Sequence, residues 1–100
     1  MAATTTEAIA STTAAATAGS DIDLGQGESA QVWLDGDLGM AEWVRVYRVN
    51  SGDTIEVPAH DHGGPIILGS GRQSVFLNGP GIFRLKKSVT ASAIAVLYDA

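Results

Sequence analysis

Apolar and polar positions alternate in short runs along most of the chain, and the runs are closed within a few residues by glycine, proline, asparagine or aspartate, or in the case of Ile82–Leu85 by the polar segment Lys86–Ser92. The clearest alternation is Glu42–Val49 (EWVRVYRV). Val44 and Val46 face one way, and Trp43, Tyr47 and Val49 face the other with Arg45 among them. Glu28–Leu34 alternates more weakly, with Ala30, Val32 and Leu34 on one side. Thr54–Val57 places Ile55 and Val57 inward, and Pro58 closes the run. Asp21–Leu24, Pro65–Leu68, Val75–Leu77, Ile82–Leu85 and Ala93–Tyr98 are further short apolar runs of strand type. Between them stand turn formers: Gly25-Gln26-Gly27, Asp35-Gly36-Asp37, Asn50-Ser51-Gly52-Asp53, Gly69-Ser70-Gly71 and Asn78-Gly79-Pro80-Gly81. About eight strands at this spacing, with no helical stripe, predict an all-β fold, a compact sandwich or jelly-roll-like barrel.

Residues 1–20 (MAATTTEAIASTTAAATAGS) break this pattern. They are almost wholly Ala, Thr and Ser, and β-branched threonine opposes the helix that alanine favours. The segment reads as an extended N-terminal arm that lies on a partner, followed by one β domain over 21–100.

Composition narrows the possible functions. A chain of 100 residues holds one small core, so assembly is a plausible source of added stability. Without cysteine there is no disulfide, thiolate metal site or cysteine nucleophile. A net charge of −5 argues against nucleic acid as a partner. No apolar run approaches the ~20 residues of a membrane-spanning helix. The charge is uneven. Residues 1–44 hold Glu7, Asp21, Asp23, Glu28, Asp35, Asp37 and Glu42 and no Lys or Arg, whereas all six bases lie in 45–100. An acidic front half that meets a basic back half, within a subunit or between copies, would set register and partner choice.

Candidate chemistry is sparse. His60-Asp61-His62 on a strand would aim both imidazoles to one side. This resembles the metal site of cupins, with Gly52 before it and Gly69 after it. The glutamate of that family is missing from residues 63–68, and no third histidine exists. His60 and His62 are therefore either a solvated turn-rich loop or weak metal candidates completed by Asp61 or by neighbouring copies. Asp35 and Asp37 lack the further oxygen ligands of a calcium loop. Nothing resembles a nucleophile motif or a phosphate cradle, so no catalytic residue and no cofactor is expected. Arg84-x-Lys86-Lys87 reads as a solvated basic strand end, and Trp33 and Trp43 read as core or interface anchors.

The ending GPGIFRLKKSVTASAIAVLYDA resembles small structural proteins of tailed-bacteriophage virions. Gly79, Pro80, Gly81, Phe83, Arg84, Leu85, Lys87, Val96 and Asp99 carry the resemblance. It implies a non-enzymatic, multi-copy component on the capsid surface of the virion. The form it suggests is a decoration (cement) protein that binds the major capsid protein as a homotrimer. A fibre, tail or baseplate attachment domain is the alternative within the same class, and a small cupin-like metal-binding domain is the alternative outside it. Strands with two apolar faces would bury one against another copy, which nominates Trp33, Trp43, Tyr47, Phe83, Val96 and Tyr98 for the interface.

Overall fold

The structure, a computed structural model, describes residues 5–50, 52, 55–61 and 64–99. It is all-β, with no helix among these residues. The strands in chain order are β1 (Thr5–Thr12), β2 (Ala16–Thr17), β3 (Ile22–Leu24), β4 (Ser29–Asp35), β5 (Val44–Val49) and β6 (Glu56–Pro58). There follow β7 (His60–Asp61), β8 (Gly64–Pro65), β9 (Ile67–Leu68), β10 (Ser74–Asn78), β11 (Gly81–Lys87) and β12 (Ile94–Asp99).

They form two antiparallel sheets around one core. The first has the order β1-β12-β4-β10. The second has the path β2-β11-β5-β6, with β3 also on β11 and β9 also on β5. Both of its edges are broken strands. β2 and β3 pair with the two ends of one side of β11, and the Ala18 N–H donates to the Leu85 carbonyl at 2.9 Å between them. β6 and β9 flank β5 in the same way, and the small hairpin β7-β8 is an excursion between them. Counted as paths, the sandwich is four strands on four, in accord with the turn spacing of the sequence.

Alternation decides what fills the core. Ala30, Val32 and Leu34 of β4 share one side, as expected; that side is inward, and they meet Val75 and Leu77 of β10 and Ile94 and Val96 of β12. Val44, Val46, Phe83, Leu85, Leu68, Ile22 and Leu24 come from the second sheet, and all belong to one apolar cluster. Gly36 turns the chain out of β4 with φ +126, a conformation open to glycine, and a Cβ there would strike Ile94. Gly79, before the cis bond to Pro80, lets the β10–β11 turn lie directly on the backbone of Gly25.

Two expectations need correction. Of the expected arm over 1–20, the described residues 5–20 do not stand apart from the 21–100 domain. Thr5–Thr12 is the edge strand beside β12, Ile9 is 4% exposed in the core, and Ala16–Thr17 has crossed to the second sheet. The segment is extended, as its composition suggests, but what it lies on is its own sheet. Ile55 and Val57, expected inward, are 60% and 49% exposed. The β6 edge has only three paired residues, and the buried cluster does not extend to it. Thr54 lies outside the described residues.

Candidate functional site

The four strands of the first sheet contain no Lys or Arg, and five of the six bases sit on β5 and β11. The charge asymmetry between the halves of the sequence thus becomes an asymmetry between sheets. On the outer face of the first sheet, the register sets Glu7, Leu97, Trp33 and Ser74 in one cross-strand row. Thr5, Asp99, Gln31 and Phe76 form the next. Trp33 and Leu97 are half-buried and Phe76 is 66% exposed. Trp33 and Phe76 are diagonal neighbours, within reach of one another's rings. The face is an apolar patch bordered by Glu7, Asp35 and Asp99.

The outer face of the second sheet is a layer of ion pairs and aromatic rings. Arg84 on β11 holds Asp21 through two bonds, Nε–Oδ1 at 2.8 Å and Nη2–Oδ2 at 2.9 Å, and also pairs with Glu56. Lys86 reaches the other oxygen of Glu56 at 2.7 Å. Asp21 precedes β3 on one edge and Glu56 belongs to β6 on the other, so the network clasps the sheet from side to side. The Asp21–Arg84 pair joins the acidic front half to the basic back half within one chain. Lys86 stands 5.1 Å over the Tyr47 ring, and the Arg45 guanidinium 4.1 Å over Trp43.

At one end of the sandwich Lys87 does the opposite of what its position in a basic cluster suggests. It shares the inward parity of Phe83 and Leu85 and is 2% exposed. Its ammonium donates to the Ala14 carbonyl, the Ser88 carbonyl and Thr90 Oγ1, each at 3.0 Å. Burial lowers its pKa, and the charge of Glu42 opposes that shift. Glu42 in turn accepts from the N–H groups of Gly39 and Ala91 at 2.7 Å, which hold its carboxyl below the usual range, Gly39 foremost. Glu56 is lowered as well, first by Lys86 and then by Arg84.

These two carboxylates give a signed pH dependence. Their folded pKa values lie below the unfolded ones, so their contribution is complete above the ordinary Glu value of about 4.3 and is lost as pH falls through the folded values. The melting temperature should be level above about pH 5 and fall below about pH 4. In Glu42→Gln/Glu56→Gln the slope between these limits should shrink, as read by thermal melts across pH 3–7.

The expected interface residues are not gathered in one place. Trp33 faces out on the first sheet, and Trp43 and Tyr47 face out on the second. Tyr98 is half-buried against the core, while Phe83 and Val96 are core residues at 5% and 0% exposure. The last two therefore serve the fold of the single chain. Phe76 and Leu97 are surface residues that the apolar runs of the sequence do not distinguish from their buried neighbours. The signal was the parity of Ser74-Val75-Phe76-Leu77-Asn78, which groups Phe76 with two polar residues.

His60 is exposed and its Nδ1 lies 2.9 Å from the Pro58 carbonyl; His62 lies outside the described residues. Among the described residues no three His, Cys, Asp or Glu side chains cluster as a metal site. Asp37 of the Asp35-Gly36-Asp37 turn accepts from Gln73 at 3.1 Å. No protein-family profile, no curated protein and no solved structure matches the chain.

Proposed function

We propose that this protein is a non-enzymatic structural component of a tailed-phage virion, a decoration protein that binds the capsid lattice as a homo-oligomer. One observation carries the reading: the outer face of the first sheet presents Trp33, Leu97 and the 66% exposed Phe76 as a patch with acidic borders and no base. Aromatic residues in such a setting are typical anchors of protein interfaces. The residues of the virion-like ending support it from another side. Gly79 fits the tight β10–β11 turn, Phe83, Leu85 and Val96 fill the core, and Arg84 and Lys87 tie strands together. Asp99 accepts from the Thr5 hydroxyl at 2.7 Å. These residues therefore serve the body plan, and the proposed partner surface is built by Trp33, Phe76 and Leu97.

Capsids stripped of decoration, mixed with the purified protein and sedimented, test this. The wild-type chain should co-sediment to saturation. Phe76→Asp, which alters an exposed side chain, should keep its melting temperature within a few degrees and weaken binding by about 30-fold or more, the scale of an interface anchor worth ~2 kcal/mol. Failure of the wild type to co-sediment, or full binding by the variant, overturns the assignment.

A further inference from the structure

Sheet edges offer unpaired N–H and C=O groups to any passing strand, and folds usually blunt them. Three of the four edges here are blunted. β1 meets β12 with two register shifts, between Glu7 and Ile9 and between Ile9 and Thr12. The β2/β3 edge is interrupted between Thr17 and Ile22. The edge formed by β6 and β9 is split by the β7-β8 hairpin and carries Pro58. β10 differs. Its five residues, SVFLN, pair with β4 in continuous register and include no charge and no proline.

The hydrogen-bond phase shows which groups it leaves open. The Gly79 N–H donates to the Glu28 carbonyl at 2.8 Å, and the Leu34 N–H donates to the Gln73 carbonyl at 3.0 Å. Gln73, Val75, Leu77 and Gly79 thus turn their backbone toward β4, and Ser74, Phe76 and Asn78 turn theirs away from it. Along this open side runs a cleft of about 570 Å³, lined by Val75, Phe76, Leu77 and Asn78 and walled opposite by Ala59–Asp61 and Ile66. Two arginines also line it. Arg72 is paired with Asp61 at 2.6 Å. Arg48 donates to the Pro80 carbonyl at 2.7 Å and stands 5.6 Å from the Phe83 ring centre, and among the described residues it has no carboxylate partner. Its guanidinium is held by the Pro80 carbonyl, and among the described residues its other donors meet no acceptor.

From this geometry we infer that the β10 cleft is a strand-addition site for an extended acidic segment of a partner protein. The segment's backbone would pair with Ser74, Phe76 and Asn78, and a carboxylate would meet Arg48 as a two-pronged ion pair. Charge selects this occupant over a second copy of β10. Two-fold pairing of β10 with itself would set Arg48 of one copy against the Arg72 end of the other, where the acid lining the cleft, Asp61, is already paired with Arg72. The inference does not depend on a virion role, because the acidic segment is defined by its chemistry and not by its source.

The probe is a synthetic peptide of about six residues alternating Thr or Val with Asp, long enough to span β10. Amide hydrogen exchange of the full chain is followed by NMR. The peptide should slow exchange at Ser74, Phe76 and Asn78 by about tenfold or more and leave Val75 and Leu77 nearly unchanged. Replacing Asp by Lys in the peptide, or methylating its alternate backbone nitrogens, should remove the effect. Arg48→Gln, at an exposed side chain that among the described residues meets the Pro80 carbonyl and the Phe83 ring, should keep the melting temperature within a few degrees and weaken the peptide by about tenfold. Equal protection by the Lys peptide, no protection by the acidic one, or protection that rises with protein concentration alone would each overturn the inference. The last outcome would assign the edge to a second copy.

Discussion

Val96→Asp is expected to abolish the folded state. Val96 is 0% exposed, lies opposite Leu34 on β4 and Ile9 on β1, and belongs to the core shared by both sheets. The substitution removes buried apolar surface worth ~2 kcal/mol and puts a carboxyl among aliphatic side chains with no donor to meet it. The combined cost, above about 5 kcal/mol, is as large as the whole stability of a small domain. Circular dichroism should show no cooperative melt. Leu97→Asp is the control. One residue along, Leu97 points to the outer face beside Trp33 and Glu7, and the same change there should cost about 1 kcal/mol or less. A folded Val96→Asp, or an unfolded Leu97→Asp, would mean that the parity of β12 is reversed.

Lys87→Ala should destabilise the protein by about 3–5 kcal/mol, measured by urea unfolding. Alanine leaves a void where the stem packs and strips a donor from the Ala14 and Ser88 carbonyls and from Thr90 Oγ1. Those three groups belong to the β1–β2 connection and to the segment before β12, so the loss opens one end of the sandwich. Lys87→Met should cost much less, about 1–2 kcal/mol. It fills the space and removes a charge that burial disfavours, and the acceptors alone go unmet. The sign of the pKa shift agrees. A lysine with a lowered folded pKa contributes stability as pH rises from that folded value toward the ordinary lysine range. Equal losses for Ala and Met would show that the charge, and not the packing, holds this end together.

These two positions also show what could be read from the sequence. Period-two alternation identified the inward set of β4, the inward valines of β5 and the strand nature of the last quarter of the chain. Of these, β4, β5, β11 and β12 lie in the middle of sheets, where one face must be apolar. Reading failed at the edges. Thr5–Thr12 has one fully buried side chain, Ile9, so its sequence cannot differ much from that of a loose arm. Ile55 and Val57 look like core residues because alternation records parity and not whether anything lies opposite. Lys87 adjoins Arg84 and Lys86 in the sequence, but its parity matches Phe83 and Leu85. The interface nominations rest on strands with two apolar faces, and alternation does not say which face is the core. Val96 is large and apolar for the sake of the core, and Phe76 escaped notice because the short run Val75–Leu77 reads as uniformly apolar.

The pairing of β1 with β12 has a consequence for how the molecule forms. Thr5 stands opposite Asp99, so nearly the whole described chain separates the partners of this ladder. Closing so wide a loop costs entropy before any contact repays it, and folds dominated by such pairings form in milliseconds to seconds. During synthesis β1 emerges first and waits until β12 has left the ribosome. Until then β4 lacks a neighbour on one side, and Val32 and Leu34 lack the cover of Val96. From the completion of β10 until β12 emerges the growing chain thus carries a partial sheet with β4 open on one side, and the Ala, Thr and Ser of β1 suit that wait. A more apolar β1 would invite the waiting segments of neighbouring chains to associate with one another.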